Sequence, residues 1–461
     1  MAQTLSIPRL VIAGAASGIG KTSITVGIAR ALRARGLGVA VFKCGPDYLD
    51  PTYHVRAAGR TCHNLDSWMM GRPGVLATFG RACAYADIAL IEGMMGLFDG
   101  ASPVSEEGST AEIAKWLSAP VLLVVDAAGI ARTLAAVVYG FTEFDRGVRI
   151  AGVLCNRLGS PGHLELLRKS VSQPPVVGGL PGDQGLIFPE RHLGLRTADE
   201  GAVPDSIFDR LGDAISQWCN LAEIIELAKS APPLESESEL SETKEVVTAS
   251  TCKIAIAFDE AFHFYYEYNL ALLRNLGAEL VYFSPISDHK LPDVDGVYLG
   301  GGYPELHAEA LAENRSMREQ IAEFAAVGGA VYGECGGLMY LTSGITDVNG
   351  RYFPMANVIP GRTVMHDRLQ ALGYVEVETE TESVIGAAGT RFRGHQFRYS
   401  ELKPDRDLRP VYRMTRHYDG QVFPEGYRLN NVLASYVHAH WASNPSIAAG
   451  FIRACVRHRA N

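Results

Sequence analysis

The chain has 461 residues, enough for two or three folded units, and its 47% hydrophobic and 20% charged content matches ordinary globular domains. A formal net charge of -9 argues against a nucleic-acid or anionic-membrane binder. Eight cysteines without CxxC spacing exclude a disulfide scaffold and read as those of a reduced, cytoplasmic protein.

The opening residues, MAQTLSIPRLVIAGAASG, carry the short apolar stretch of a signal peptide but run into GKTS rather than a cleavage site, and are expected to form a first strand. No window reaches the ~20 apolar residues needed to cross a bilayer. Short apolar runs (RLVIAGA, GVAVFK, ADIALIEG, APVLLVVDA, RIAGVLCN) alternate with helical patterns, which predicts a parallel α/β domain over residues 1–230. Between its first strand and first helix lies Gly14-Ala-Ala-Ser17-Gly18-Ile-Gly20-Lys21-Thr22. Such a loop turns backbone N–H groups around phosphates, adds the helix dipole and the Lys21 charge, and leaves Thr22 to ligate Mg²⁺.

Lys43 ends the next strand, followed by Asp47 and Asp50; Glu92 ends another, and Asp99 follows in GMMGLFDG. Carboxylates just beyond strand C-termini sit where open α/β sheets bind ligands, and with Thr22 the hard oxygens of Asp47 and Glu92 suit Mg²⁺. Turn chemistry beside Pro46, Pro51 and Gly100 is the bland alternative. Asp126 ends VLLVVD, either as an acid reaching metal through water or as a helix cap; Asn156 and Arg157 end RIAGVLCNR.

Residues 231–250, APPLESESELSETKEVVTAS, hold five Glu and one Lys and read as an acidic linker. Residues 251–461 resume with KIAIAF, EYNLALLRNLG, ELVYFS, DGVYLGGG and GGAVYGECGGLMYL, a second doubly wound α/β domain. Cys335, set between a strand and a helix and followed by Gly336 and Gly337, has the form of a nucleophile elbow. The helix N-terminus is expected to lower its thiol pKa. Gly301 and Gly302 end a neighbouring strand as candidate oxyanion donors, and His438 or His440 supplies a base. A buried small cysteine is the competing reading.

The loop spacing resembles that of dethiobiotin synthetase and its amidoligase relatives, which implies that ATP binds there with Asn156 on adenine; on its own Asn156 reads as a turn residue. GECGG, GGGYPE and SYVHAHW resemble the cobyric-type branch of class I glutamine amidotransferases. That resemblance implies a Cys335–His438 dyad, with His440 where other branches carry an acid. Together KCGPDYLDPTYH, NLDSWM, IEGMMGLFDG, the acidic linker, GGGYPEL, GECGGLMYL and RGHQFRYS resemble the cobyrinic acid a,c-diamide synthase family over most of the chain.

The resemblance implies two doubly wound Rossmann-like domains, the first dethiobiotin-synthetase-like and the second amidotransferase-like. It implies amidation of a tetrapyrrole polycarboxylate through acyl phosphates, with ATP and Mg²⁺ as cofactors and glutamine as nitrogen donor. Hydrogenobyrinic acid and nickel-sirohydrochlorin are alternative acceptors. Lys21 is expected on the phosphates, Ser17, Gly18, Gly20 and Arg157 on the nucleotide, Lys43 and Asp50 in catalysis, and Tyr48, Leu49 and Asp99 on substrate. No nucleic acid or membrane partner is expected; a homodimer is a further candidate. A switch ATPase would leave Cys335 unexplained, and a stand-alone cysteine amidohydrolase would leave the first domain idle. RGHQFRYS departs from the family's GHEFHYS at Gln396 and Arg398, so no role carries to those two positions.

Overall fold

Short apolar runs bounded by turn residues form the strands in the computed structural model, which describes residues 4–188, 190–191, 194–195, 203–235, 252–405 and 408–459. The chain divides into two compact units, Met1–Ser241 and Glu242–Asn461.

In the first unit the elements are β1 (Arg9–Gly14), α1 (Lys21–Ala34), β2 (Val39–Cys44), α2 (Asp50–Ala58), β3 (His63–Leu65), β4 (Ile88–Glu92), β5 (Val121–Asp126), β6 (Ile150–Leu158) and β7 (Val176–Pro181). The seven strands pair in the order β3-β2-β4-β1-β5-β6-β7, all parallel. The chain fills one side of β1 through β4 and the other from β5 onward. That reversal puts a topological switch point at the C-terminal end of β1, where open sheets bind ligands. α1 buries Ile24, Ile28, Ala31 and Leu32 in one core with Leu10, Ile12, Leu90 and Leu122. Each such aliphatic side chain contributes about 1.5–3 kcal/mol.

Leu234–Glu235 pairs antiparallel with Thr4–Leu5, and Arg9 donates to the Pro232 carbonyl at 2.5 Å. The first residues of the acidic stretch therefore belong to the first unit; residues 236–250 lie outside the described residues.

The second unit contains β8 (Lys253–Ala257), β9 (Glu279–Phe283), β10 (Gly296–Leu299), β11 (Ala330–Glu334), α3 (Gly336–Leu341), β12 (Ala371–Thr379), β13 (Arg391–Arg398), β14 (Pro410–Arg416), β15 (Val422–Leu429), β16 (Val432–Ser435) and β17 (His438–His440). They form one ten-stranded sheet, β9-β8-β10-β11-β16-β15-β14-β12-β13-β17. The first five are parallel, as expected for a doubly wound fold, and β15, β14, β12, β13 and β17 continue antiparallel. These later strands alternate buried and solvent-facing residues, the pattern of a sheet wetted on one side rather than of a fully buried strand. On that wet side Arg391 pairs with Glu378 and Arg393 with Glu376, so the basic strand face is matched by acids on its neighbour.

Candidate active sites

The phosphate loop leaves β1 at Gly14 and enters α1 at Lys21 through Gly20, whose φ is +92°. A Cβ on Gly20 would sit 2.2 Å from Asn156 Nδ2, so the loop and the end of β6 meet only because this residue is glycine. Asn156 donates to the Ile19 carbonyl at 2.7 Å, and Arg157 donates to the Gly18 carbonyl at 2.9 Å and to Asp126 at 2.5 Å. Both side chains thus brace the loop. Lys21 Nζ donates to the carbonyls of Ala16 (3.1 Å) and Met95 (2.6 Å). Burial, then repulsion from Lys43, lowers its pKa.

Beside the loop, Lys43 Nζ lies 2.5 Å from Asp50, 2.8 Å from Glu92 and 3.8 Å from Asp47. Burial favours the neutral amine, but the surrounding carboxylates more than offset it and hold Lys43 charged, well above the ordinary lysine range. Burial, then repulsion from Asp47, pushes Asp50 well above the carboxylate range. Glu92 is also fully buried, yet Lys43 and His54 hold it below that range. Thr22 donates to Glu92 at 2.8 Å, and His54 Nε2 lies 2.6 Å from the other carboxylate oxygen. Asp47 Oδ1 accepts from the N–H groups of Leu49 and Asp50, which starts α2.

Ser17, Gly18, Gly20, Lys21, Thr22, Lys43, Asp47, Asp50, Glu92, Asn156 and Arg157 all line one cavity of about 480 Å³. Tyr48, Leu49 and Asp99 do not line it. Asp99 instead accepts from the Gly96 N–H at 2.9 Å, which ties down its own loop. His54 is the residue that sequence reasoning missed; its spacing of four from Asp50, one turn along α2, was the available signal.

In the second unit Cys335 joins β11 to α3 with φ +47° and ψ -97°, a strained geometry for a side chain and the mark of an elbow. Its N–H donates to the Ser435 carbonyl at 2.7 Å. A Cβ on Gly337 would lie 2.2 Å from the Leu299 carbonyl, so the turn fits against β10 only with glycine there. The expected lowering of the thiol pKa is overturned: burial is the largest influence and pushes Cys335 up to about 12. Burial likewise pulls His438 and His440 down to about 3.

A Cβ on Gly301 would lie 2.4 Å from His438 Cε1, and one on Gly336 would lie 3.1 Å from the Gly302 nitrogen. The glycine turn thus touches both His438 and the elbow. Gly301 donates its N–H to the Phe264 carbonyl at 3.3 Å. His440 is engaged elsewhere: its Nδ1 accepts from the Ala442 N–H at 3.3 Å and its ring packs on Tyr266 and Tyr268.

Glu334, adjacent to Cys335 and given no role from sequence, accepts from the hydroxyls of Tyr298 (3.0 Å) and Tyr332 (2.8 Å) and from the Ala439 N–H (3.1 Å). Ala439 separates the two histidines, so this carboxyl fixes β17 against β11.

The family model for the CobQ/CobB/MinD/ParA nucleotide binding domain matches residues 10–195, and that for the CobB/CobQ-like glutamine amidotransferase domain matches residues 253–446. The cobyrinate a,c-diamide synthase of Leptospira interrogans serovar copenhageni is 51% identical over 455 residues, 98% of this chain and 99% of that protein. The chain belongs to the cobyrinate a,c-diamide synthase family. Proteins of the same name from Syntrophotalea carbinolica (45% over 458 residues; 98% of this chain, 99% of that protein) and Priestia megaterium (41% over 455; 98% of each) extend the match. Family membership identifies an enzyme, a glutamine-dependent ligase with a nucleotide-binding domain, and bears out both expected domain types. No helix among the described residues is long and apolar enough to cross a membrane.

Proposed function

We propose that the enzyme amidates the a and c acetate carboxylates of cobyrinic acid with ammonia from glutamine, activating each acid with ATP. The observation that carries this reading is the Lys43 ammonium set among Asp47, Asp50 and Glu92 in the cavity that the phosphate loop lines. An acid substrate needs fixed positive charge to approach a triphosphate, and Lys21 supplies it. When phosphates enter, Lys21 exchanges its bonds to Ala16 and Met95 for phosphate oxygens. The substrate carboxylate attacks the γ-phosphorus, ADP leaves, and ammonia then displaces phosphate from the acyl phosphate to give the amide. Asp50, poised above the carboxylate range, is suited to take the proton that ammonia loses.

Magnesium fits this oxygen-lined cavity as an ion that keeps waters and phosphate ligands, since among the described residues no three acidic, histidine or cysteine side chains converge as a cage. Thr22 and Asp47 would hold it, with Glu92 acting through its bond to Thr22, and it would neutralise charge on the phosphates.

In the second unit, Cys335 Sγ attacks the glutamine carboxamide while its proton passes to His438. The Gly302 N–H faces the oxyanion, ammonia leaves carrying that proton, and water hydrolyses the thioester to glutamate. The eight cysteines, all free, support a reduced, cytoplasmic setting. Incubation with ATP, Mg²⁺, glutamine and candidate tetrapyrroles tests the reading by a mass loss of about one unit per acid converted to amide. Two such losses on cobyrinic acid are expected, and none on any tetrapyrrole would refute it.

A further inference from the structure

α2 presents two side chains to one buried pair of charges. Lys43 and Glu92 are register partners on β2 and β4 and lie 2.8 Å apart. Asp50 and His54, four residues apart and so on one face of α2, reach one member each: Asp50 lies 2.5 Å from Lys43 Nζ, and His54 Nε2 lies 2.6 Å from Glu92 Oε2. His54 and Glu92 have no exposed surface. Among the described residues no other group bonds to Glu92 Oε2, and His54 Nδ1 has no hydrogen-bond partner. A buried imidazole nitrogen left unpaired costs stability that an apolar side chain of similar size would not. The fold bears that cost for one polar contact, and the contact is with a carboxylate.

The other Glu92 oxygen has different partners. Oε1 accepts from the Thr22 hydroxyl and from Lys43 Nζ, each at 2.8 Å. A hydroxyl has a single hydrogen; committed to Glu92, it leaves the Thr22 lone pairs for the cavity that Thr22 and Lys43 line. That orientation holds only while the carboxylate stays in place. Without His54, Glu92 would be free to turn both oxygens toward Lys43, and Thr22 would lose its fixed acceptor. His54 itself does not line the cavity, so its influence passes through Glu92.

We propose that His54 is a positioning residue for the nucleotide site: it holds Glu92 Oε2, so that Oε1 keeps the Thr22 hydroxyl oriented for magnesium. The proposal rests on the ATP-dependent reading of the first unit and adds to it a residue from outside the phosphate loop and the cavity wall.

The test titrates Mg²⁺ against binding of fluorescent N-methylanthraniloyl-ATP to the full-length protein. His54→Leu and His54→Gln introduce side chains of similar volume, but only the second carries a donor nitrogen where Nε2 now lies. His54→Leu should raise the half-saturating Mg²⁺ concentration about tenfold, and His54→Gln should stay within about threefold of wild type. Affinity without Mg²⁺ should remain within about twofold in both, which also shows that they are folded. The kcat for amidation should follow the same order, with the KM for glutamine unchanged. Equal damage in the two variants, or a wild-type Mg²⁺ requirement in His54→Leu, would overturn the proposal. Should His54→Leu fail to fold, His54→Asn, whose amide nitrogen stands one bond short of Glu92, must show the raised requirement; a wild-type response there would overturn the proposal equally. If wild type amidates no tetrapyrrole but the Mg²⁺ response still separates His54→Leu from His54→Gln, the reading of function falls and the role of His54 stands. A wild-type affinity indifferent to Mg²⁺ overturns that role.

Discussion

His395 and His438 face one another across the antiparallel pair β13–β17, their rings stacked at 4.9 Å between centroids and 18° between planes. The hydroxyl of Tyr266 lies 3.0 Å from His395 Nδ1. The His395 imidazole thus supports the His438 ring. His395→Ala should lower kcat for glutamine hydrolysis about tenfold with little change in KM, because His438, the proposed base, loses the ring stacked on it. His395→Phe, which keeps the stack, should recover most of the loss; equal damage in both variants would contradict a supporting role.

Gly301→Ala places a methyl group where His438 Cε1 now lies, 2.4 Å from the ideal Cβ position. Either the imidazole or the glycine turn must move by about 1 Å, and displacement on that scale costs on the order of 100-fold in rate. Steady-state glutamine hydrolysis measures it, and a rate within a few-fold of wild type would show that His438 is not the base.

Burial pushes Glu334 up to about 7, although Tyr332, the Ala439 N–H and Tyr298 pull the other way. The folded protein therefore keeps a proton that the unfolded chain releases near pH 4.5, so this residue's contribution is present at low pH and is lost as pH rises through 7. Glu334→Gln should flatten the fall in stability over that window by up to about 3 kcal/mol, read from denaturation at pH 4.5 and 7.5. Parallel wild-type and variant curves would contradict the shift. Glu305, also raised to about 7 by burial, keeps a residual slope in both proteins.

Asp47→Asn retains the Oδ1 acceptor that starts α2 but removes the charge facing Lys43. Synthesis should fall by at least about 100-fold with glutamine and with ammonium alike, because acid activation precedes the choice of nitrogen source. Wild-type rates with ammonium would remove Asp47 from the ATP side.

Much of the first site is legible in sequence because its parts are local: the phosphate loop, Lys43 and the strand-end acids each follow one strand of a parallel sheet, and the topology gathers strand ends. Cys335 and its glycines are local too. What escapes are partners joined only by the fold. Glu334 finds Tyr298 and Ala439 across 36 and 105 residues, and His395 meets His438 through β13–β17 register. The thiol pKa escaped for a related reason: a helix N-terminus is written in sequence, whereas complete burial is not. Asp99 shows the converse, a carboxylate in a promising motif that serves its own turn.

Cys335→Ala removes the sulfur proposed to attack glutamine, and Cys335 does not line the Lys43 cavity. Assayed side by side with glutamine and with ammonium as nitrogen donor, this variant should lose glutamine-dependent amidation and glutaminase activity while ammonium-dependent amidation persists near the wild-type rate. Glutamine hydrolysis surviving in the variant would contradict the assignment of Cys335 and with it the division of labour between the two units.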